Sequence, residues 1–267
     1  MAPPLIVTWN RWSDFVKFDA EAIQHGSVLR PSFLFRGQAG EAWTLRPTLA
    51  RIGREAGWTK ERALEIEAGL LRHFIGLAHL YLPPRLVTEP RNLVSWWIAM
   101  QHYGAPTRIL DWTRSVYVAA YFAVQEQPRA PGAVWIVQGA QVQREMDTKF
   151  GALTASDDAA MQASSAPPSL HFPMLDFETD RMAAQQAVFT LSRDVLEDHL
   201  SLIESVMPED PGNPLFIKAI IPAQAKLEFV RRLRHMNITA SALFPGIDGI
   251  GRSTNELARA AGRMEGE

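Results

Sequence analysis

The segment Gln101-His102-Tyr103-Gly104-Ala105-Pro106-Thr107-Arg108-Ile109-Leu110-Asp111-Trp112-Thr113 crowds an amide, an imidazole, a guanidinium, a carboxylate, an indole and two threonine hydroxyls between two apolar stretches. Polar groups in such a place must find partners, because burying them unsatisfied is expensive. Two arrangements meet that demand. In one, the groups form a structural network in a loop between two buried helices, with Asp111 capping the second helix and Arg108 pairing with it. In the other, Gln101, His102, Thr107, Arg108 and Thr113 face a cleft, where an arginine among amide and hydroxyl donors suits a phosphate- or ribose-bearing ligand. The pattern leaves both open. Trp112 is either a core tryptophan or a platform for stacking on a base. A third chemistry, phosphodiester hydrolysis with His102 as general base and Asp111 orienting it, has no metal-ligand cluster in support.

Arg36 follows Phe33-Leu34-Phe35 directly and precedes Gly37. A guanidinium in that position is costly to bury unless it is paired or holds an anion. It is read at the last position of a strand that ends at Gly37, where it emerges into a loop with Gln38. Arg46, in Thr44-Leu45-Arg46-Pro47-Thr48, is a second strand-end arginine close by, and two arginines can clamp a diphosphate. Gln185 and Gln186 precede the run Ala187-Val188-Phe189-Thr190, so alternation along a strand points one of them inward, where it needs partners.

Other chemistries are excluded or disfavoured. The chain has no cysteine, which rules out disulfides, thiolate catalysis and Cys-based zinc or iron–sulfur sites, and fits a reducing compartment. Its histidines are scattered. His73 and His79 lie too far apart for an i, i+4 metal pair on a helix, so no structural metal is expected. With a net charge of −2 and both signs spread along the chain, composition gives no argument for a nucleic-acid or membrane-surface partner. No window approaches the roughly 18 apolar residues of a membrane span, and the N-terminus lacks the pattern of a signal peptide. A cytoplasmic location without a membrane partner is expected.

The elements that must carry these groups are legible in outline. Leu5–Thr8, Ser32–Gln38, Ala133–Val137, Val188–Leu191 and Leu215–Ile221 read as strands. Helices are expected after Asn10 or Ser13 (with Trp12, Phe15, Val16 and Phe18), over Thr59 to about His79, Asn92–Tyr103 ending at Gly104, Ser115–Val124, Pro222–Arg234 and Ser253–Ala261. Arg181 begins a turn feeding the strand at Val188, and Gly151–Pro173 reads as a long excursion. At 267 residues with 47% hydrophobic content and no convincing linker, the chain is expected to form one domain over residues 1–267.

Four groups of residues resemble the FRG family, named for a Phe-Arg-Gly-type motif. They are Phe35-Arg36-Gly37-Gln38 with Leu45-Arg46-Pro47; Gln101-His102-Tyr103-Gly104 with Pro106-Thr107-Arg108 and Leu110-Asp111-Trp112-Thr113; Arg181 with Gln185 and Phe189-Thr190; and Leu243 to Gly249 as a closing turn. The resemblance spans a motif-bearing core from about residue 31 to 251. The aromatic-Arg-Gly motif is in turn similar to the first motif of Arg-type ADP-ribosyltransferases. That implies an α/β (α+β) fold with a small mixed or antiparallel sheet and several flanking helices. It also implies a site for NAD, as a substrate, in which Arg36, Thr113 and Gln185 are catalytic. Arg36, Gly37, Gln38, Arg46, Gln101, His102, Thr107, Arg108, Asp111 and Trp112 would bind the ligand.

By this resemblance the chain is an NAD-like nucleotide-binding domain that acts as an ADP-ribosyltransferase or NAD glycohydrolase, as a toxin or anti-phage effector would, with a protein or nucleic-acid acceptor. The sequence departs from the pattern at one place. Where a glutamate would be expected it holds Gln185 and Gln186, with Asp176 and Glu178 only near, and a glutamine orients a ribose hydroxyl but is no base at neutral pH. The alternative is therefore a non-catalytic module that senses a nucleotide or a nucleic-acid end.

Overall fold

Runs of β-branched and aromatic residues favour a pleated, half-buried surface, and such runs form several of the seven strands that pair into one sheet in the computed structural model, which describes residues 3–24, 33–82, 92–152, 162, 168–173, 179–208 and 215–264. The strands are β1 (Leu5–Thr8), β2 (Leu34–Gln38), β3 (Ile109–Thr113), β4 (Gly132–Val137), β5 (Leu170–His171), β6 (Ala187–Ser192) and β7 (Phe216–Ile221). Their order across the sheet is β1-β7-β4-β2-β3-β6-β5, with β1 and β7 parallel and every other neighbouring pair antiparallel. The fold is mixed α/β.

Helices cover both faces. On one face α1 (Trp12–Gln24), α5 (Val116–Val124) and α9 (Lys226–His235) supply Phe15, Ala119, Ala123, Phe229 and Leu233 to a core shared with Phe35, Val134, Ile136, Ile217 and Ala219. On the other, α6 (Gly139–Phe150) and α8 (His199–Val206) pack Val142, Met146, Leu202 and Ile203 against Leu34, Leu110, Trp112, Trp135 and Phe216. A third cluster joins α4 (Leu93–His102) to Ile109, Phe189 and Leu191. The helix starts follow capping chemistry: Thr59 accepts from Arg62 N ahead of α3 (Lys60–Ala78), Asn92 from Ser95 N, and Ser115 from Val118 N. Asp14 accepts from Asn10 N and Arg11 N at the start of α1, where Val16 points to solvent. The helix α2 (Thr48–Glu55) lies between Arg46 and α3. No described helix is long and apolar enough to cross a membrane.

Two glycines set how close α5 comes to the sheet. A Cβ on Gly37 would sit 1.8 Å from the carbonyl oxygen of Ala119, and one on Gly132 would sit 2.1 Å from that of Ala123. Only hydrogen fits at either place. Buried Lys226 at the start of α9 donates to the carbonyls of Ala39, Glu126 and Gln127 at 2.8, 3.1 and 3.1 Å, tying the end of β2 to the turn before β4.

The structure corrects several expectations. Ile109–Thr113 is a strand near the middle of the sheet rather than part of a loop between helices, because Leu110 and Trp112 bury on one face and pair with β6. β2 continues through Gly37 to Gln38, so Arg36 lies within the strand and not at its end. Asp180–Gln185 is a short helix, α7, capped by Thr179, where a turn was expected. After the short α10 (Ala240–Leu243), the last helix, α11, runs over Ile247–Met264 and starts well before Ser253. Most of Gly151–Pro173, with Asp176 and Glu178, lies outside the described residues.

Candidate functional site

Antiparallel neighbours normally exchange hydrogen bonds along their length, yet β2 and β3 pair only at Phe35 and Thr113. Each keeps full register with its other neighbour, β2 with β4 over Leu34–Gln38 and β3 with β6 over Ile109–Thr113. The two strands therefore part beyond Phe35. Arg36 Nη1 spans the gap and donates to the Asp111 carbonyl at 2.6 Å. A cavity of about 170 Å³ opens there. Its sheet side carries Phe35, Arg36, Gly37, Asp111, Trp112 and Thr113, its α5 side Val118 and Phe122, and its α7 side Arg181 and Gln185.

Arg36 is the most exacting of these groups. Its Nε is buried with no partner among the described residues. Burial lowers the guanidinium's pKa, Asp111 pulls it back up, and Arg51 pushes it down. A guanidinium stays charged in proteins, so the strain of this environment appears as a demand for an acceptor rather than as deprotonation. Asp111 carries the only carboxylate among the described lining residues. Its Oδ2 accepts from Gln101 Nε2 at 3.0 Å, and Gln101 Oε1 accepts from the buried Thr107 hydroxyl at 2.6 Å. Arg181 adds a second cation. Its Nη1 donates to the His102 carbonyl at 2.8 Å and its guanidinium lies 4.7 Å from the centroid of Phe244. Arg252 lies 4.5 Å from the same ring. Burial lowers the Arg181 pKa, with Asp111 opposing and Arg252 adding to the effect.

Thr113 and Gln185 border the cavity with their polar groups already engaged. The Thr113 hydroxyl donates to the Gln185 carbonyl at 2.7 Å and accepts from Ser115 N at 3.0 Å. Gln185 ends α7 rather than starting a strand, and its Nε2 donates to the Leu243 carbonyl at 2.9 Å. Gln186 follows in the left-handed region, with φ 48°.

Of the other residues expected at the ligand, Gln38, Arg46, Gln101, His102, Thr107 and Arg108 are not among the described residues lining the cavity. Arg108 is fully buried and bidentate on Glu67 of α3: its Nε reaches Oε1 at 2.7 Å and its Nη2 bonds Oε2. Its Nη1 donates to the Arg193 carbonyl at 2.8 Å. Neither Arg108 nor Asp111 serves the network in which they pair, and Ser115, not Asp111, caps α5. Gln38 bridges Trp135 Nε1 and the Thr44 carbonyl, at 2.7 and 3.0 Å. Arg46 pairs with Asp198 at 3.0 Å, away from the lining of the cavity, so no two-arginine clamp forms with Arg36 there. Trp112 does line the cavity, but its side chain is buried in the cluster with Leu110 and Trp135 and its indole N–H donates to Thr190 Oγ1 at 2.9 Å. His102 lies behind Arg181 and does not line the cavity; burial holds its imidazole below its usual pKa, with Arg181 adding to the effect and Asp111 opposing. A His102-centred hydrolase loses its geometry here.

Val118, Phe122 and Arg181 join the site without having been singled out from their own residue pattern. The spacing of Val118 and Phe122, one turn apart on the apolar helix, gave a signal for a shared face but none for a cavity. Arg181 entered only through a motif. Among the described residues no group of three or more His, Asp or Glu side chains is placed to hold a metal ion.

The family model of the FRG domain matches residues 31–131, a span that takes in β2, β3, α5 and all of the cavity's sheet side. No curated protein and no solved structure matches the chain.

Proposed function

Since the chain carries an FRG domain, we propose that the cavity between its parted strands β2 and β3 binds an NAD-like nucleotide, which the protein cleaves or transfers as an ADP-ribosyltransferase or NAD glycohydrolase. The observation that carries this reading is a cavity lined together by Arg36, Arg181 and Asp111, in which the Arg36 guanidinium has a buried Nε with no partner among the described residues. Two guanidiniums against one carboxylate favour an anionic ligand, and a planar donor fork suits a phosphate. At about 170 Å³ the cavity holds one part of a dinucleotide, smaller than the roughly 300–1,000 Å³ cleft of a whole drug-sized ligand. The remainder would lie over the rim beside Arg181. Activity of this kind suits a toxin or anti-phage effector acting on a protein or nucleic-acid acceptor.

A second reading, a non-catalytic nucleotide sensor, is favoured by one feature: the Thr113 hydroxyl and the Gln185 amide are spent on holding α7 and α10 in place, and neither can serve as a base. Both readings predict binding. Titration calorimetry and thermal unfolding with NAD, ADP-ribose and ATP test it on the wild type and on Arg36→Ala. Ligand at about 100 times Kd adds about 2.7 kcal/mol of stability, and the shift disappears in the variant while its circular dichroism matches wild type. If no nucleotide shifts the wild type, the nucleotide reading of this cleft fails. Nicotinamide release then separates enzyme from sensor.

A further inference from the structure

We propose that Asp111 is the catalytic carboxylate of this cleft and that Gln101 and Thr107 are its positioning residues; the assignment rests on the nucleotide reading above. The sequence directs the search for a carboxylate to the neighbourhood of Gln185, and the fold supplies one from a different strand. Among the described residues that line the cavity, Asp111 alone is acidic. Half-buried Asp111 lines the cavity; its Oδ2 is held by Gln101 Nε2, while Oδ1 accepts no hydrogen bond among the described residues.

The support behind it is polar and directional. The Thr107 hydroxyl donates to Gln101 Oε1 at 2.6 Å, which orients the Gln101 amide so that its nitrogen must face Asp111. The same threonine oxygen accepts from Ile109 N at 3.3 Å, which anchors the relay to the start of β3. The backbone carbonyl of Asp111 is held in turn by Arg36 Nη1. A carboxylate fixed through one oxygen and open at the other is arranged to take a proton from a bound hydroxyl or water.

Water attacks the anomeric carbon of the nicotinamide ribose as the bond to the pyridinium nitrogen breaks. The bonding pair leaves with nicotinamide, which departs neutral. The water proton passes to Asp111 Oδ1 and on to solvent, and the products are ADP-ribose, nicotinamide and a proton.

Calorimetry with NAD and chromatographic assay of nicotinamide, run on the full chain, test the assignment. Asp111→Asn keeps an acceptor for Gln101 and is expected to bind NAD within about threefold of wild type while kcat falls about a hundredfold or more. Thr107→Val is expected to lower kcat about tenfold with KM little changed, and Thr107→Ser to restore it. Turnover retained in Asp111→Asn overturns the assignment. So does a wild type that binds NAD and releases no nicotinamide, which leaves the binding site standing. A wild type that binds no NAD removes the cleft reading and the assignment together. Should Asp111→Asn fail to fold, the threonine pair decides: equal kcat in the valine and serine variants refutes the relay and the role built on it.

Discussion

His199 gives the sharpest stability test of the packing beneath Arg36. It starts α8 and is fully buried, and its Nδ1 lies 2.9 Å from Thr190 Oγ1. That hydroxyl accepts from the Trp112 indole, so indole, hydroxyl and imidazole form one buried chain, and the Arg108 backbone contributes a hydrogen bond that favours the protonated ring without offsetting its burial. Burial first, and the Arg36 charge second, push the His199 pKa down to about 3. The sign follows directly. Between the ordinary pKa near 6.5 and about 3, the unfolded chain binds a proton that the folded chain refuses. Stability is therefore full above pH 6.5 and is lost as the pH falls toward the folded value. The full window is worth about 5 kcal/mol, and the part between pH 7 and pH 5 about 2 kcal/mol. His171, pushed down to about 4 chiefly by burial, adds a loss of the same sign. Urea unfolding from pH 5 to pH 8 of wild type and His199→Gln measures the difference. The variant starts less stable at pH 7 but loses about 2 kcal/mol less on going to pH 5. Parallel curves for the two proteins would refute the buried, neutral imidazole.

Two further outcomes concern the scaffold. Glu67→Gln strands the Arg108 charge in the core and should cost about 3–5 kcal/mol by urea unfolding, whereas Glu67→Met with Arg108→Met recovers much of that loss, since the pair is costly to desolvate as well as favourable to form. Gly37→Ala should cost about 3 kcal/mol or more because the Ala119 carbonyl cannot move freely, while Gly76→Ala, on α3 with nothing within 4 Å of the added carbon, should stabilise by about 0.5–1 kcal/mol; equal effects at the two glycines would contradict the close approach of α5.

Periodicity and capping made α3, α4 and α5 legible before any coordinates, since each has a Thr, Asn or Ser at its start and an apolar face of helical spacing. β3 was obscured because Asp111 sits at its centre and aspartate is rare in strands, although Leu110 and Trp112 alternate with it. Gly37 looked like a strand end, when it is in fact a close-contact position within β2. The helix expected over Ser253–Ala261 starts at Ile247 instead, and Gly249 in its first turns lies so close to the Phe244 carbonyl that a Cβ would not fit.

In the site, proximity along the chain misled. Arg108 and Asp111 are three residues apart, yet one lies in the core against α3 and the other at the cavity. Glu67 carried a signal that spacing could have exposed. It shares the stripe of Ala63 and Leu70, so a charge there requires a buried partner, though not one that sequence can identify. Arg181 reaches the cavity only because α7 turns back beside β3, a long-range consequence of the sheet order.

The two glycines under α5 also govern how this cleft can diversify. Ala119 and Ala123 rest on the sheet with no spare distance, and Val118 and Phe122 project from the same turns into the cavity. The helix cannot tilt or slide to admit a bulkier ligand without losing its seat. Shape preference on that wall is therefore written in two side chains that also pack into the core beside the helix, so relatives or engineered variants with different ligands would record the change at positions 118 and 122 together with their neighbours Tyr121 and Phe244.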